Sequence, residues 1–449
     1  MSRSIMWFRR DLRLIDNPAL LAAIEAGEEI VPVFILDPKL IEITGAKGLA
    51  YLAESLRNLD QSLGNKLHIC TGDHVDVLNE LKKKYDATSV HIASEYDQYA
   101  LARDARIESA GIELTRTGSP YAVAPGRVKK PSDATNYRVY TPFYRGWLLH
   151  GWRAPVAAPK VIKAVTPDEK YRNFPTWQPP KGTEIFAAGE KAAHDRFKKF
   201  KAKGLDAYDE TRNFAGIDGT SKMSTHLTWG EIHPRTLLAG LGESKAHDTF
   251  RKEIAWREFY ADVLHNYPHT DKDYYAPQFA NMRYDEPGEK FKAWCEGKTG
   301  YPFVDAGMRQ LVTEGWMHNR VRMVVASFLA KDLHIEWQHG ALFFEEHLVD
   351  FDIASNAHGW QWTAGCGTDA SPYYRVFNPI EQGKRFDENG DYIRKYVSEL
   401  AHLGADEIHE PWDHVDGYKN GYAKKLVEHS LERLESLARL EEIKVRNTE

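Results

Sequence analysis

Across the first 130 residues, short runs of β-branched and apolar residues alternate with stretches in which apolar positions recur every three or four residues. Residues 5–8, 30–36, 67–71, 90–94 and 112–116 have the length and unbroken hydrophobicity of strands covered on both faces. Between them, 18–26, 49–63 and 75–85 read as amphipathic helices. The first is capped by Asp16 or Asn17, with Pro18 at its first position. Such alternation predicts a five-stranded parallel, doubly wound sheet. No G-x-G-x-x-G follows the first strand, so no dinucleotide fingerprint stands there. From about residue 186 helical periodicity dominates and strand signals nearly vanish. Residues 151–180 carry six of the 21 prolines and read as a surface connector. The expected division is an α/β domain over 1–130, a linker over 131–185 and an all-helical domain over 186–449, ending in an amphipathic helix at 423–444.

Composition narrows the class. A chain of 449 residues is long for one core, in keeping with two domains. With 42% apolar and 28% charged residues it is a folded chain, and no apolar run reaches membrane-spanning length. The N-terminus lacks signal-peptide features, and Cys70, Cys295 and Cys366 offer no paired metal spacing. A reduced cytoplasm and no metal are therefore expected. The net charge of −6 disfavours nucleic acid as a partner in bulk, yet a local basic surface is compatible with it.

Candidate chemistry lies in the helical half, which holds eight of the twelve tryptophans. Trp360 and Trp362 close the run Asp350-Phe-Asp-Ile-Ala-Ser-Asn-Ala-His-Gly-Trp-Gln-Trp362. Tryptophan fills a core poorly without a partner for its N–H, so two beside acids, an amide and glycine point to a stacking site or an electron path. Gly219-Thr-Ser-Lys-Met-Ser224 precedes a helical stretch and is either an N-capped loop or a phosphate cradle. In Phe250–Tyr260, Glu253, Trp256, Arg257 and Tyr260 fall on one helical stripe. That stripe is either a solvated, salt-bridged face or a surface for a planar base and its phosphate. Asn319 and Met323 are four apart, flanked by Arg320 and Arg322. A lone Met is usually core filler, but a core would not tolerate those neighbours unpaired.

Together with Arg9-Arg-Asp-Leu-Arg13 at the first strand, these motifs run in order along nearly the whole chain and resemble the DNA photolyase/cryptochrome family. The resemblance implies an N-terminal antenna domain and an all-helical domain holding FAD. Its cofactor contacts would be Tyr208, Thr220, Ser221, Lys222, Met223, Ser224, Phe250, Arg322, Asp350, Phe351, Asp352 and Asn356, with Arg322 paired to Asp350. Glu253, Asn319, Met323 and Asn356 would serve the reaction. Arg212, Glu253, Trp256, Arg257, Asn319, Arg320, Trp362 and Lys384 would meet DNA. Trp360 and Trp337 match the first two steps of a chain that re-reduces the flavin, and Tyr284 stands at the third in place of Trp, so a neutral tyrosyl radical is expected. The segment 97–104 lacks the Asn-Glu pair of folate-binding relatives, and its Arg103 and Asp104 resemble an 8-hydroxy-5-deazaflavin antenna site.

Within the family, Asn356 stands where plant-type cryptochromes carry Asp. Trp362 is kept where those sensors have Tyr. Met323 replaces the His-containing segment of (6-4) photolyases, and no long extension follows the family core. These features resemble a class I cyclobutane pyrimidine dimer photolyase, acting as a monomer on UV-damaged single- or double-stranded DNA. A cryptochrome-type blue-light photoreceptor and a light-independent flavoprotein are the alternatives. His318, His358 and Cys366 are expected to orient neighbours.

Overall fold

The computed structural model of the chain describes residues 2–369 and 374–446. Five parallel strands, β1 (Arg3–Phe8), β2 (Glu29–Leu36), β3 (His68–Thr71), β4 (Ala87–Ile92) and β5 (Leu114–Arg116), form one sheet in the order β3-β2-β1-β4-β5. Along central β1, Ile5 and Trp7 enter the core on one face, and Met6 and Phe8 the core on the other. Burial of both faces is why its sequence is an unbroken apolar run. Asn17 is the cap of helix Pro18–Ala26, its side chain accepting from the Leu20 N–H. Asp16 does not cap. With φ at 54°, it gives its carboxylate to Arg235 at 2.6 Å.

The expected linker needs correction. Helix Tyr140–His150 lies within it, yet buries Tyr140, Phe143, Tyr144 and Trp147 in a core shared with Phe250 and Phe259. This helix belongs to the helical body, and only the residues beyond it form a true connector. The connector is also not idle. Ile30 N–H donates to the Lys163 carbonyl (2.8 Å) and Val165 N–H to the Ile30 carbonyl (2.9 Å), extending the sheet where β3 does not reach β2.

Among the described residues no strand follows β5. Helices Lys245–Asn266, Asn319–Ser327 and Trp337–His347 all pack on helix Ile353–Ala364, so four segments separated by tens of residues converge on one place. The terminal helix runs His429–Arg446, starting six residues later than its apolar period implied. The two halves are stitched by arginines of the first strand's loop: Arg10 donates to Asp352 (2.8 Å) and Arg13 to the Gly230 carbonyl (2.9 Å). Within the helical body, the Glu258 carboxylate accepts from Val123 N–H (3.0 Å) and Trp147 Nε1 (2.6 Å). The arginines of 9–13 are thus largely interdomain structure.

Candidate functional site

Helix Ile353–Ala364 begins at Asp352, whose side chain accepts from the Ser355 N–H at 3.0 Å. Burial would raise this carboxyl's pKa, but Arg10 and Arg257 more than offset it and hold Asp352 well below the usual range. One face of the helix buries Ala354, Ala357, His358, Trp360 and Gln361. Asn356, Gly359 and Trp362, three apart, form a stripe that stays half-open. A Cβ built at Gly359 would meet nothing within 4 Å, so free space lies beside this stripe. Asn356 is anchored through its nitrogen to the Ala341 carbonyl (3.0 Å), and Trp362 through Nε1 to the Asp369 carbonyl (3.1 Å).

Helix Asn319–Ser327 buries Val321, Val324 and Val325 and leaves Asn319, Arg322 and Met323 open. Arg322 reaches both Asp350 oxygens (3.0 and 2.8 Å) and the Met317 carbonyl (2.8 Å), the pairing expected from sequence. The Asp350 carboxylate is sealed while the Arg322 side chain remains 26% exposed, so positive charge is presented at the open side. Asn319 Nδ2 lies 4.0 Å from Met323 Sδ.

Helix Lys245–Asn266 supplies a further wall. Burial raises the Glu253 carboxyl pKa, and its ion pair with Arg212 opposes that rise. Trp256 lies face to face on Tyr140, ring centroids 3.7 Å apart at 7°, a stacking partner that local spacing did not reveal. Tyr260 stacks on His358 (5.6 Å). Arg257 corrects an expectation. Its guanidinium turns inward over the Tyr121 ring and donates to the Pro120 carbonyl (2.9 Å), so it does not reach for DNA. One of its buried nitrogens has no protein partner.

The loop Gly219–Ser224 is strained rather than merely capped. Lys222 has φ of 52°, a left-handed backbone costing on the order of 1 kcal/mol in a non-glycine residue. A Cβ at Gly219 would come within 3.0 Å of Thr211. Thr220, Ser221 and Lys222 stay half-open over buried Met223. Ser221 Oγ accepts from the Met223 N–H (3.3 Å), and Ser224 Oγ from Trp316 Nε1 (3.2 Å). Tyr208 and Phe250 meet edge to face (5.3 Å) and are buried together beside Phe200, holding the loop's base. Phe351 is half-buried between the two acids.

These residues fit FAD. The open stripe at Gly359 offers a flat wall, Arg322 offers positive charge beside a ring system, and the hydroxyl-bearing loop suits a diphosphate and ribityl chain. Several buried donors nearby, among them His318 Nε2 and His358 Nδ1, have no partner within the protein. At the rim, Arg320 donates to Asn213 (2.8 Å) and lies over the Phe386 ring, whose helix Pro379–Phe386 carries Lys384, ion-paired to Glu410.

Trp360 packs against helix Trp337–His347 where Gly340 makes room, since a Cβ there would lie 2.2 Å from its ring. Trp337 sits one turn away on that helix, edge-on to Tyr274 (6.3 Å), and Tyr274 in turn stacks on Tyr284 (6.4 Å, 16°). The expected third residue therefore has Tyr274 between it and Trp337. A second correction concerns Arg103 and Asp104. Both are buried in an ionic network with Arg9 and Glu95, which removes the residue basis for a deazaflavin antenna there.

Comparison with known proteins accords with this geometry. The profile of the "FAD binding domain of DNA photolyase" matches residues 250–442, and that of "DNA photolyase" residues 4–160. A deoxyribodipyrimidine photo-lyase of Agrobacterium fabrum is 40% identical, the match covering 91% of this chain and 90% of that one. The solved structure of a bacterial class III photolyase from Agrobacterium tumefaciens superposes with a TM-score of 0.92 at 37% identity, covering 99% and 98% of the two chains. A Synechocystis cryptochrome superposes at 0.88 with 28% identity, covering 98% and 99%. With the five-stranded parallel sheet, the helical body and both profiles in agreement, the chain belongs to the DNA photolyase family.

Proposed function

We propose that the chain repairs cyclobutane pyrimidine dimers in DNA under light. When bound, reduced FAD would supply the light-driven electron for opening the cyclobutane ring. The observation that carries this reading is the open stripe Asn356–Gly359–Trp362, bordered by helices bearing Arg322, Met323, Glu253 and Trp256. Asp350 fixes Arg322, whose charge favours an anionic ring system beside it. Asn356, a neutral amide, can hydrogen-bond the flavin without delivering a proton. Glu253 donates or accepts at a pyrimidine edge, and its worth grows as water is excluded. Trp256 and Trp362 offer stacking faces for a lesion turned out of the duplex. Photolyases as a class are known to flip their target base, so that step belongs to the family and is not inferred from this chain. Arg212, Arg320 and Lys384 stand at the rim to hold phosphates. Trp360 and Trp337 serve re-reduction of the flavin.

The test irradiates FAD-loaded, reduced protein with a dimer-containing oligonucleotide and follows recovery of thymine absorbance. Recovery in light alone supports repair. The similarity to a cryptochrome favours photoreception as the second reading, supported by light-driven flavin reduction without any recovery of thymine.

A further inference from the structure

The segment beyond Trp337 holds two tyrosines, and it is Tyr274 whose hydroxyl reaches a carboxylate. Tyr274 is buried, 4% exposed, with its ring edge on Trp337 and its face against Tyr284. Its hydroxyl donates to Glu336 Oε1 at 2.7 Å, and Glu336 is the residue immediately before Trp337, at the N-cap of the same helix. Tyr284 instead meets the Phe279 carbonyl at 3.3 Å and the Tyr274 hydroxyl, neither of which is a base to match a carboxylate. Burial first, and then Tyr284 and Glu336, raise the Tyr274 phenol pKa far above its ordinary value, so this side chain does not lose a proton at rest.

We propose that Tyr274 fills the electron vacancy at Trp337, and that Glu336 accepts the phenolic proton in the same event. The inference rests on the reading that Trp360 and Trp337 carry electrons to the flavin. The oxidant is the Trp337 radical cation, formed when the photo-excited oxidised flavin draws an electron through Trp360. One electron passes from the Tyr274 ring to Trp337, which returns to its neutral closed shell. The Tyr274 O–H bond breaks, its proton moves to Glu336 Oε1, and a neutral tyrosyl radical faces a protonated carboxyl. No charge is stranded on Trp337, Tyr274 or Glu336, the outcome a low-dielectric site favours. Tyr284, stacked on Tyr274, is a later station and not the first.

The experiment is transient absorption of the FAD-loaded oxidised protein after a laser flash, in H2O and D2O, on the parent and on Tyr274→Phe, Glu336→Gln, Tyr284→Phe and Trp360→Phe. The parent is expected to convert a tryptophan radical cation into a neutral tyrosyl radical with a solvent isotope effect. Tyr274→Phe should lose the tyrosyl signal and prolong the tryptophan cation. Glu336→Gln keeps the ring and a hydrogen-bond acceptor but removes the proton acceptor. It should slow tyrosyl formation by on the order of tenfold or more, the weight of one charge-assisted hydrogen bond. Tyr284→Phe should still give the radical. Electron paramagnetic resonance of trapped samples with ring-deuterated tyrosine, and melting curves, separate this role from loss of fold. A tyrosyl signal that survives in Tyr274→Phe and vanishes in Tyr284→Phe overturns the proposal, as does a parent with tryptophan radicals only. Unchanged flavin photoreduction in Trp360→Phe would instead overturn the tryptophan path, and this step with it.

Discussion

In the sheet half, Arg9, Glu95, Arg103 and Asp104 are each under a tenth exposed, and all four are locked in ion pairs of 2.7–3.3 Å. In the helical half, His318 Nε2, His358 Nδ1, Arg257 Nη2, Trp337 Nε1 and Trp360 Nε1 are buried without any partner in the protein. The contrast separates two uses of buried polarity. A network whose charges are paired within the chain fixes structure even though Arg9 Nε is left without a partner, because breaking it strands a charge. Buried polar atoms left unsatisfied cost stability, and His358 Nδ1 and Trp360 Nε1 belong to the helix that carries the open stripe at Gly359. The charged residues of the N-terminal domain therefore look functional in a sequence but are structural in space.

The sharpest way to break this comparison is Arg103→Met. It leaves Glu95 and Asp104 with one partner fewer and should lower unfolding free energy by about 3–5 kcal/mol in denaturant titration. FAD affinity of the folded fraction should stay unchanged; a loss below about 1 kcal/mol would show the network to be no stronger than a surface pair. Gly359→Leu should do the opposite. Removing a helix-interior glycine changes apoprotein stability by no more than about 1 kcal/mol, while FAD binding followed by flavin fluorescence should weaken at least about tenfold as the space is filled. Normal binding by that variant would place the cofactor elsewhere.

At the rim, replacing Arg212, Arg320 or Lys384 by Ala should make the dependence of DNA affinity on salt shallower by roughly one unit in log–log slope for each phosphate interaction removed. Arg257→Ala should leave the slope alone, since its guanidinium is turned inward. The smallest effect concerns acid. Burial pushes Glu95 up, but Arg9 and Arg103 outweigh it and hold it at about 2. Because the folded value lies below the unfolded one of about 4.3, the stability it contributes is full above that pH and fades as pH falls toward the folded value. In Arg103→Met the folded value rises, so this acid limb should flatten in a pH series of unfolding midpoints.

The sheet was legible because burial on both faces writes itself into β1 and β2 as continuous apolar runs. Strand ends moved by a few residues only, as from 112–116 to Leu114–Arg116. On helices, spacing along the chain gave true neighbours: Asn319 and Met323 share an open side, and the Asn356–Trp362 segment does carry the open stripe. Sequence by itself thus determined the two-part architecture, the segments that make the candidate site and the angular position of each side chain on its own helix. It could not say what a neighbouring element presents at that angle. Tertiary structure alone decided that Arg257 meets Pro120 and Tyr121, that Trp256 lies on Tyr140, that Asp104 pairs with Arg9, and that Tyr274 stands between Trp337 and Tyr284. Helical and strand periods are local consequences of backbone geometry. A partner on another element is chosen by packing of the whole chain, and no local repeat records it.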